Sequence, residues 1–266
     1  MAIIRKKKPV TLPEIRPNAG IERKYSNALV SLVREIQSDV NQTLVAEFRK
    51  QAKQEKLAMD GISDWVAHVI DYLSIRWQKK LDDLAPQIAS MFVNRTVSNY
   101  ETLMKTYMRR AGFTVRFQIT PFQRESLQAV IGNNVGLIKS IASQHLERVQ
   151  VQVWQCVTQG YDLSTLSKNL KKDYGITKRR AEFIARDQAN KAHATIERAK
   201  RQELGIAKAI WLHSHAGKTP RPSHLAADKQ EFEVSKGMYL DGEWVQPGEL
   251  PGCRCGSRSI IEGIDL

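Results

Sequence analysis

The stretch that decides the fold is Ala209–Ile261, AIWLHSHAGKTPRPSHLAADKQEFEVSKGMYLDGEWVQPGELPGCRCGSRSII. It opens on an apolar run, Ala209-Ile210-Trp211-Leu212, and passes a His213-Ser214-His215 step. The turn-rich run Lys218-Thr219-Pro220-Arg221-Pro222-Ser223-His224 follows, and the stretch closes with Pro247-Gly248, Pro251-Gly252 and Cys253-Arg254-Cys255. Three of the 6 histidines, two of the 3 cysteines and four of the 9 prolines lie here, so site chemistry is sought here first. Ala207–His213 reads as one strand and Gly256–Gly263 as another. The excursion between them, roughly forty residues rich in Pro and Gly, is too long to be a structureless loop and needs internal fastening. Asp241-Gly242 marks a hairpin between Met238-Tyr239-Leu240 and Glu243-Trp244-Val245. Phe232, Val234, Met238, Tyr239, Leu240, Trp244 and Val245 are the candidate apolar cluster beneath it.

Upstream, the pattern is helical. Leu29, Val33, Ile36, Val40, Leu44 and Phe48 recur at helical spacing over about 21–56, and Asp60-Gly61 is expected to break that helix. Trp65, Val69, Tyr72, Leu73, Ile75 and Trp77 begin a second stripe, which Pro86 should kink or restart, and a third run over 87–110 ends at Gly112. Phe113, Val115, Phe117 and Ile119 alternate with polar residues, predicting a short strand stopped by Pro121. Further helices are expected over 123–131, over 135–159 after a Gly132-Asn133-Asn134 turn, over 163–170 with Asp162 as a cap, and from a Thr177 cap to Leu204, where Gly205 closes the run. Cys156 reads as a buried structural thiol. His68, His145 and His193 read as packing or surface residues.

The expected fold class is therefore α+β and predominantly α-helical, with a helical N-terminal half and a compact C-terminal domain of helices plus a small antiparallel sheet. Three regions follow in chain order. Residues 1–20 form a basic, Pro-rich arm, 21–112 a helical region, and 113–266 the C-terminal domain.

A chain of 266 residues with 26% charged residues suits a folded globular protein. No segment approaches the roughly 18 apolar residues of a membrane span, no secretory signal is read at the start, and an odd cysteine count argues against a disulfide framework. A formal charge of +13 directs attention to polyanions, of which nucleic acid is the commonest inside a cell. Basic clusters recur at Lys6, Lys7 and Lys8, at Lys178, Arg179 and Arg180, and at Lys200-Arg201. Aromatic interleaving is absent, so phosphate contact without sequence preference is the expected mode.

Three readings of the closing stretch stand side by side. His224, Cys253 and Cys255, with His213 or His215 as the fourth donor, supply ligand types that suit a structural zinc ion, although one residue between the cysteines is a short gap for a zinc knuckle. A zinc-dependent nucleic-acid hydrolase or deaminase-like enzyme would use His213, His215, His224 and the two thiols, but neither His-Glu-x-x-His nor the deaminase His-x-Glu with Pro-Cys-x-x-Cys occurs, so no catalytic residue is assigned. In the third reading the prolines, thiols and imidazoles simply hold the excursion in shape.

The ordered motifs carry a resemblance. Ile184-Ala185-Arg186-Asp187-Gln188, Leu204-Gly205, Trp211, the turn from Lys218 to His224, Pro247-Gly248-Glu249 and Cys253-Arg254-Cys255 together resemble the head-morphogenesis domain of tailed bacteriophages, the Mu protein F-like or SPP1 minor-head-protein-like family. The similarity starts near 135–140 and leaves the N-terminal helices outside. It implies a minor capsid protein of the virion, located inside the procapsid near the portal vertex and in the host cytoplasm during assembly. Its implied partners are the portal protein, packaged double-stranded DNA and coat or scaffold protein, with roles in packaging or ejection and no membrane or enzymatic role. Arg221, Pro222, His224, Cys253, Arg254 and Cys255 match the signature positions of that family. Relatives with extra cysteines near the Arg-Pro turn have Ser223-His224 as their counterpart here, so a metal in this chain would need a different ligand set.

Overall fold

The computed structural model describes residues 9–52, 59–118, 120–158, 163–215 and 219–262. Long helices dominate: α1 (Ala19–Ala52), α2 (Met59–Arg110), α3 (Pro121–Thr158) and α4 (Leu163–Glu203), with a short α5 (Pro222–Ala226). Six strands accompany them: β1 (Val10–Thr11), β2 (Lys208–Leu212), β3 (Glu231–Glu233), β4 (Met238–Leu240), β5 (Glu243–Val245) and β6 (Gly256–Ile261). The fold is α+β and predominantly helical, as the periodicities indicate.

Packing groups the chain into two compact units. One comprises 23–90 and 131–185; the other comprises 1–22, 91–130 and 186–266.

The first unit is built from apolar stripes. Leu29, Val33, Ile36, Val40 and Leu44 of α1 are all buried, as are Leu73, Trp77, Leu81, Ala85 and Ala89 of α2, and Ile138, Ile141, Leu146, Val149 and Val153 of α3. These steps, which follow the helical repeat, put each set on one helix face. Polar links tie helix to helix: Tyr25 donates to Asn134 Oδ1 at 2.8 Å, Trp77 Nε1 donates to Asp39 at 2.8 Å, and Arg180 donates to Ser140 Oγ at 2.9 Å.

Several expected breaks do not occur, for one physical reason. Asp60-Gly61 lies inside α2, which also runs through Pro86, so the two runs expected on either side of that proline are a single helix. Gly132-Asn133-Asn134 lies inside α3, and Asn134 is fully buried as the acceptor for Tyr25. Gly175 and Thr177 lie inside α4, where the Thr177 hydroxyl donates back to the Asp173 carbonyl at 3.0 Å instead of capping a new helix. A glycine costs a helix about 1 kcal/mol, and a stripe of fully buried side chains outweighs that. The expected Asp162 cap lies outside the described residues.

The second unit carries the sheet, in the order β1-β6-β2-β3 with every pair antiparallel, and a separate β4-β5 hairpin. The stretch from residue 9 to 20, expected as part of the basic, Pro-rich arm of 1–20, is anchored in this unit. Val10 pairs with Ile261, Leu12 N–H donates to the Ser259 carbonyl at 2.9 Å, and Leu12 and Ile15 are buried. Lys6, Lys7 and Lys8 lie outside the described residues. The hairpin turns at Asp241-Gly242, both at positive φ, as a two-residue turn of this kind requires.

The strand expected over 113–119 is absent among the described residues. Phe113, Val115 and Phe117 do face a core of Tyr100, Met104, Met108 and Ile196, and the polar residues between them are exposed. The alternation therefore reflects burial alone, because no strand among the described residues pairs with 113–118. The Gln118 N–H donates to the Glu203 carboxylate at 2.6 Å.

Candidate functional site

Within the sheet-bearing unit the excursion is fastened at the segment 251–255. Arg221 is extended, as a residue before proline must be, and Pro222 occupies the first turn of α5, where its missing N–H costs nothing. One short turn later His224 is buried, and its imidazole stands edge-on to Trp211 with ring centroids 5.2 Å apart. The Arg221 guanidinium donates to the Pro251 carbonyl at 2.9 Å. On α4, Asp187 accepts the Gly252 N–H at 2.7 Å and pairs with Lys191 at 2.9 Å. Residues separated by as much as 65 positions thus grip one turn.

The thiols follow directly. Cys253 and Cys255, two apart, come to the same imidazole: their sulfurs lie 3.5 and 3.6 Å from His224 Nδ1. All three residues are buried, and the donor atoms lie within 4.8 Å of one another. His224 Nε2 is buried without a hydrogen-bond partner. The hydrogen bond from Cys255, together with N–H donors of Cys255 and Gly248, draws the Cys253 thiol down to about 5 despite its burial. The same bond and burial push the Cys255 thiol up.

Of the four residues expected to share a metal, the structure brings together His224, Cys253 and Cys255. His213 stays out. Its Nδ1 accepts the His215 N–H at 3.1 Å, and its own N–H donates to Asp228 at 2.8 Å, a bond that holds the Asp228 carboxyl below the usual carboxylate range. Arg254, between the cysteines, lines a cavity of about 530 Å³ shared with His193, Glu197, His213, Asp228 and Arg258.

Sequence reasoning missed a second polar assembly. Arg201 on α4 is buried and donates to Ser259 at 2.9 Å, Ser257 at 2.7 Å and Glu197 at 2.8 Å, while Ser257 also donates to Glu197 at 2.9 Å. The signal was present: Glu197 and Arg201 are one helical turn apart, and Ser257 and Ser259 lie two apart on one face of β6, with Arg258 between them on the other. Next to Arg201, Lys200 is buried, pairs with Glu101 at 2.6 Å and Glu203 at 3.2 Å, and lies over the Phe117 ring. This basic pair, counted in sequence as cationic surface, is internal. Of the other cluster on α4, Arg179 is exposed, Lys178 is half-buried near Glu182, and Arg180 turns inward to Ser140.

Of the three histidines read as packing or surface residues, His68 is exposed, and His193 and His145 have internal partners. His193 Nε2 lies 2.7 Å from the Ile15 carbonyl, and burial lowers its pKa. His145 Nδ1 lies 2.9 Å from the Thr177 hydroxyl. Cys156 is buried and outside any disulfide. Tyr239 and Trp244, expected in the small cluster, are exposed, whereas Phe232, Val234 and Val245 join Trp211, Cys253 and Cys255 in the core.

An α+β domain whose proline-rich excursion is gripped by Asp187, Arg221, His224 and the Cys-x-Cys pair is the class defined by these contacts. Residues 147–258 match the family model described as phage Mu protein F like protein. An uncharacterized protein of Haemophilus influenzae is 32% identical over 181 residues, which is 67% of this chain and 40% of the relative. The chain therefore spans about two fifths of that relative's length. No solved structure matches. No helix among the described residues is long and apolar enough to cross a membrane.

Proposed function

We propose that the chain is a minor head protein of a tailed bacteriophage, acting in head morphogenesis at the portal vertex and touching packaged double-stranded DNA through its phosphates. The observation that carries this reading is the Mu F-like match over 147–258, which covers nearly the whole fastened excursion and the α4 segment that grips it. A net charge of +13 supports the DNA contact, because a basic surface gains affinity by releasing counterions from the duplex. Lys178 and Arg179 are the described candidates for that surface, with Lys6, Lys7 and Lys8 ahead of the described residues. Arg180, tied to Ser140, serves less well.

The experiment is co-purification with the portal ring from heads and from cells expressing both proteins. Retention on the portal, lost when the excursion is deleted, is the expected result. Retention on coat or scaffold protein alone would overturn the portal assignment. DNA affinity should fall steeply as salt rises, and affinity insensitive to salt would remove the phosphate-contact account. Nucleolytic or deaminating turnover by the purified chain would favour the enzymatic alternative.

A further inference from the structure

We propose that His224, Cys253 and Cys255 bind a zinc ion that locks α5 to the chain entering β6. A single imidazole nitrogen has one lone pair or one N–H, yet both sulfurs approach His224 Nδ1 almost equally, at 3.5 and 3.6 Å. A hydrogen bond would favour one sulfur over the other. A cation in their midst explains the symmetry: with Zn–S of about 2.3 Å and Zn–N of about 2.0 Å, a tetrahedral ion sets a nitrogen-to-sulfur edge of about 3.5 Å. Two thiolates and an imidazole are soft and borderline donors, suited to zinc and unsuited to calcium or magnesium. All three residues are buried, so the ion would sit within the core cluster that includes Trp211 and Phe232.

His213, whose Nδ1 already accepts the His215 N–H, leaves the fourth position to a solvent molecule from the cavity that Cys255 lines. The short Cys-x-Cys gap fits this arrangement, since residues two apart on an extended chain present both sulfurs to one side. The inference rests on this cluster alone and stands or falls separately from the portal reading.

The test uses the full chain purified without chelators. About one equivalent of zinc per chain is expected by elemental analysis. After chelation, cobalt(II) should restore a thiolate-to-cobalt charge-transfer band and the intense visible bands of a tetrahedral ion. Cys253→Ser and Cys255→Ser should each cut the charge-transfer band by roughly half, while Cys156→Ser leaves it unchanged. Because the cysteine variants could unfold, the wild-type protein supplies a second reading: zinc should slow alkylation of Cys253 and Cys255 by at least about tenfold, without effect on Cys156. Zinc-free protein giving no charge-transfer band would overturn the proposal. So would metal that a Cys253→Ser/Cys255→Ser double variant holds as well as wild type.

Discussion

The two units of this chain are held by different physics. The unit of 23–90 and 131–185 is built mainly from apolar stripes, with single polar links such as Tyr25 to Asn134 between its helices. The sheet-bearing unit places charged and polar groups inside, each with named partners: Arg201 with Glu197 and two serines, Lys200 with Glu101 and Glu203, Asp187 with Gly252. Apolar packing tolerates exchange among side chains of similar volume, whereas a buried charge tolerates only a partner of the same geometry. The first arrangement resists single changes better; the second fixes one conformation of a long excursion.

The sharpest way to break that contrast is at Arg201. Arg201→Met leaves Glu197 buried without its cation and should cost about 3–5 kcal/mol in urea unfolding. Arg201→Lys should also destabilise, because an ammonium cannot reproduce the guanidinium fork that reaches two serines and a carboxylate. In the stripe-built unit Leu73, fully buried, should lose about 3 kcal/mol on Leu73→Ala but less than about 1.5 kcal/mol on Leu73→Met. If Arg201→Lys proves as mild as Leu73→Met, the two units do not differ in the way described.

A smaller effect concerns pH. His145 is buried in the stripe-built unit, and burial, helped by Arg148, lowers its pKa to about 4. Thr177 donates to the Asp173 carbonyl and so accepts the Nδ1 proton, which leaves Nε2 buried with no partner for a second one. The folded state therefore resists protonation that the unfolded chain accepts near 6.5. The associated stability is intact above that pH and is lost as pH falls toward 4, by about 2 kcal/mol at pH 5. His145→Gln should flatten this part of the profile. An unchanged urea midpoint between pH 7.5 and 5 in wild type would contradict the assignment.

The sequence made the helical stripes legible because periodicity is summed over many residues. It made the Asp241-Gly242 hairpin legible because a two-residue turn at positive φ admits few residue types. Several readings that failed let one residue decide. Gly61, Pro86, Gly132 and Gly175 each carry a local cost that the buried stripes override. The alternation of 113–119 has the right period for a strand, but 113–118 has no neighbouring strand among the described residues, and pairing is a long-range property that no local pattern encodes. The gathering of His224, Cys253 and Cys255 was anticipated from donor types, while the exclusion of His213 depends on a hydrogen bond to His215 that spacing does not reveal. Asp187 was visible only as part of a motif; its grip on Gly252 joins α4 to a turn 65 residues away.

The smallest effect separates two tryptophans that look alike in sequence. Trp211 is fully buried against His224 and Phe232, and Trp211→Ala should cost about 3–5 kcal/mol. Trp244 is 57% exposed and faces Tyr239 across the hairpin, with ring centroids 5.4 Å apart. A cross-strand aromatic pair of this kind is worth about 0.5–1 kcal/mol, so Trp244→Ala should shift the urea midpoint only slightly and leave the secondary structure unchanged. The hairpin is then fixed by its turn and by Val245, which joins the core with Trp211, and its aromatic pair is surface decoration on a scaffold held elsewhere. A loss at Trp244 matching that at Trp211 would mean the excursion packs inward at its tip as well as at its base, and the fastening at 251–255 would no longer be its main anchor.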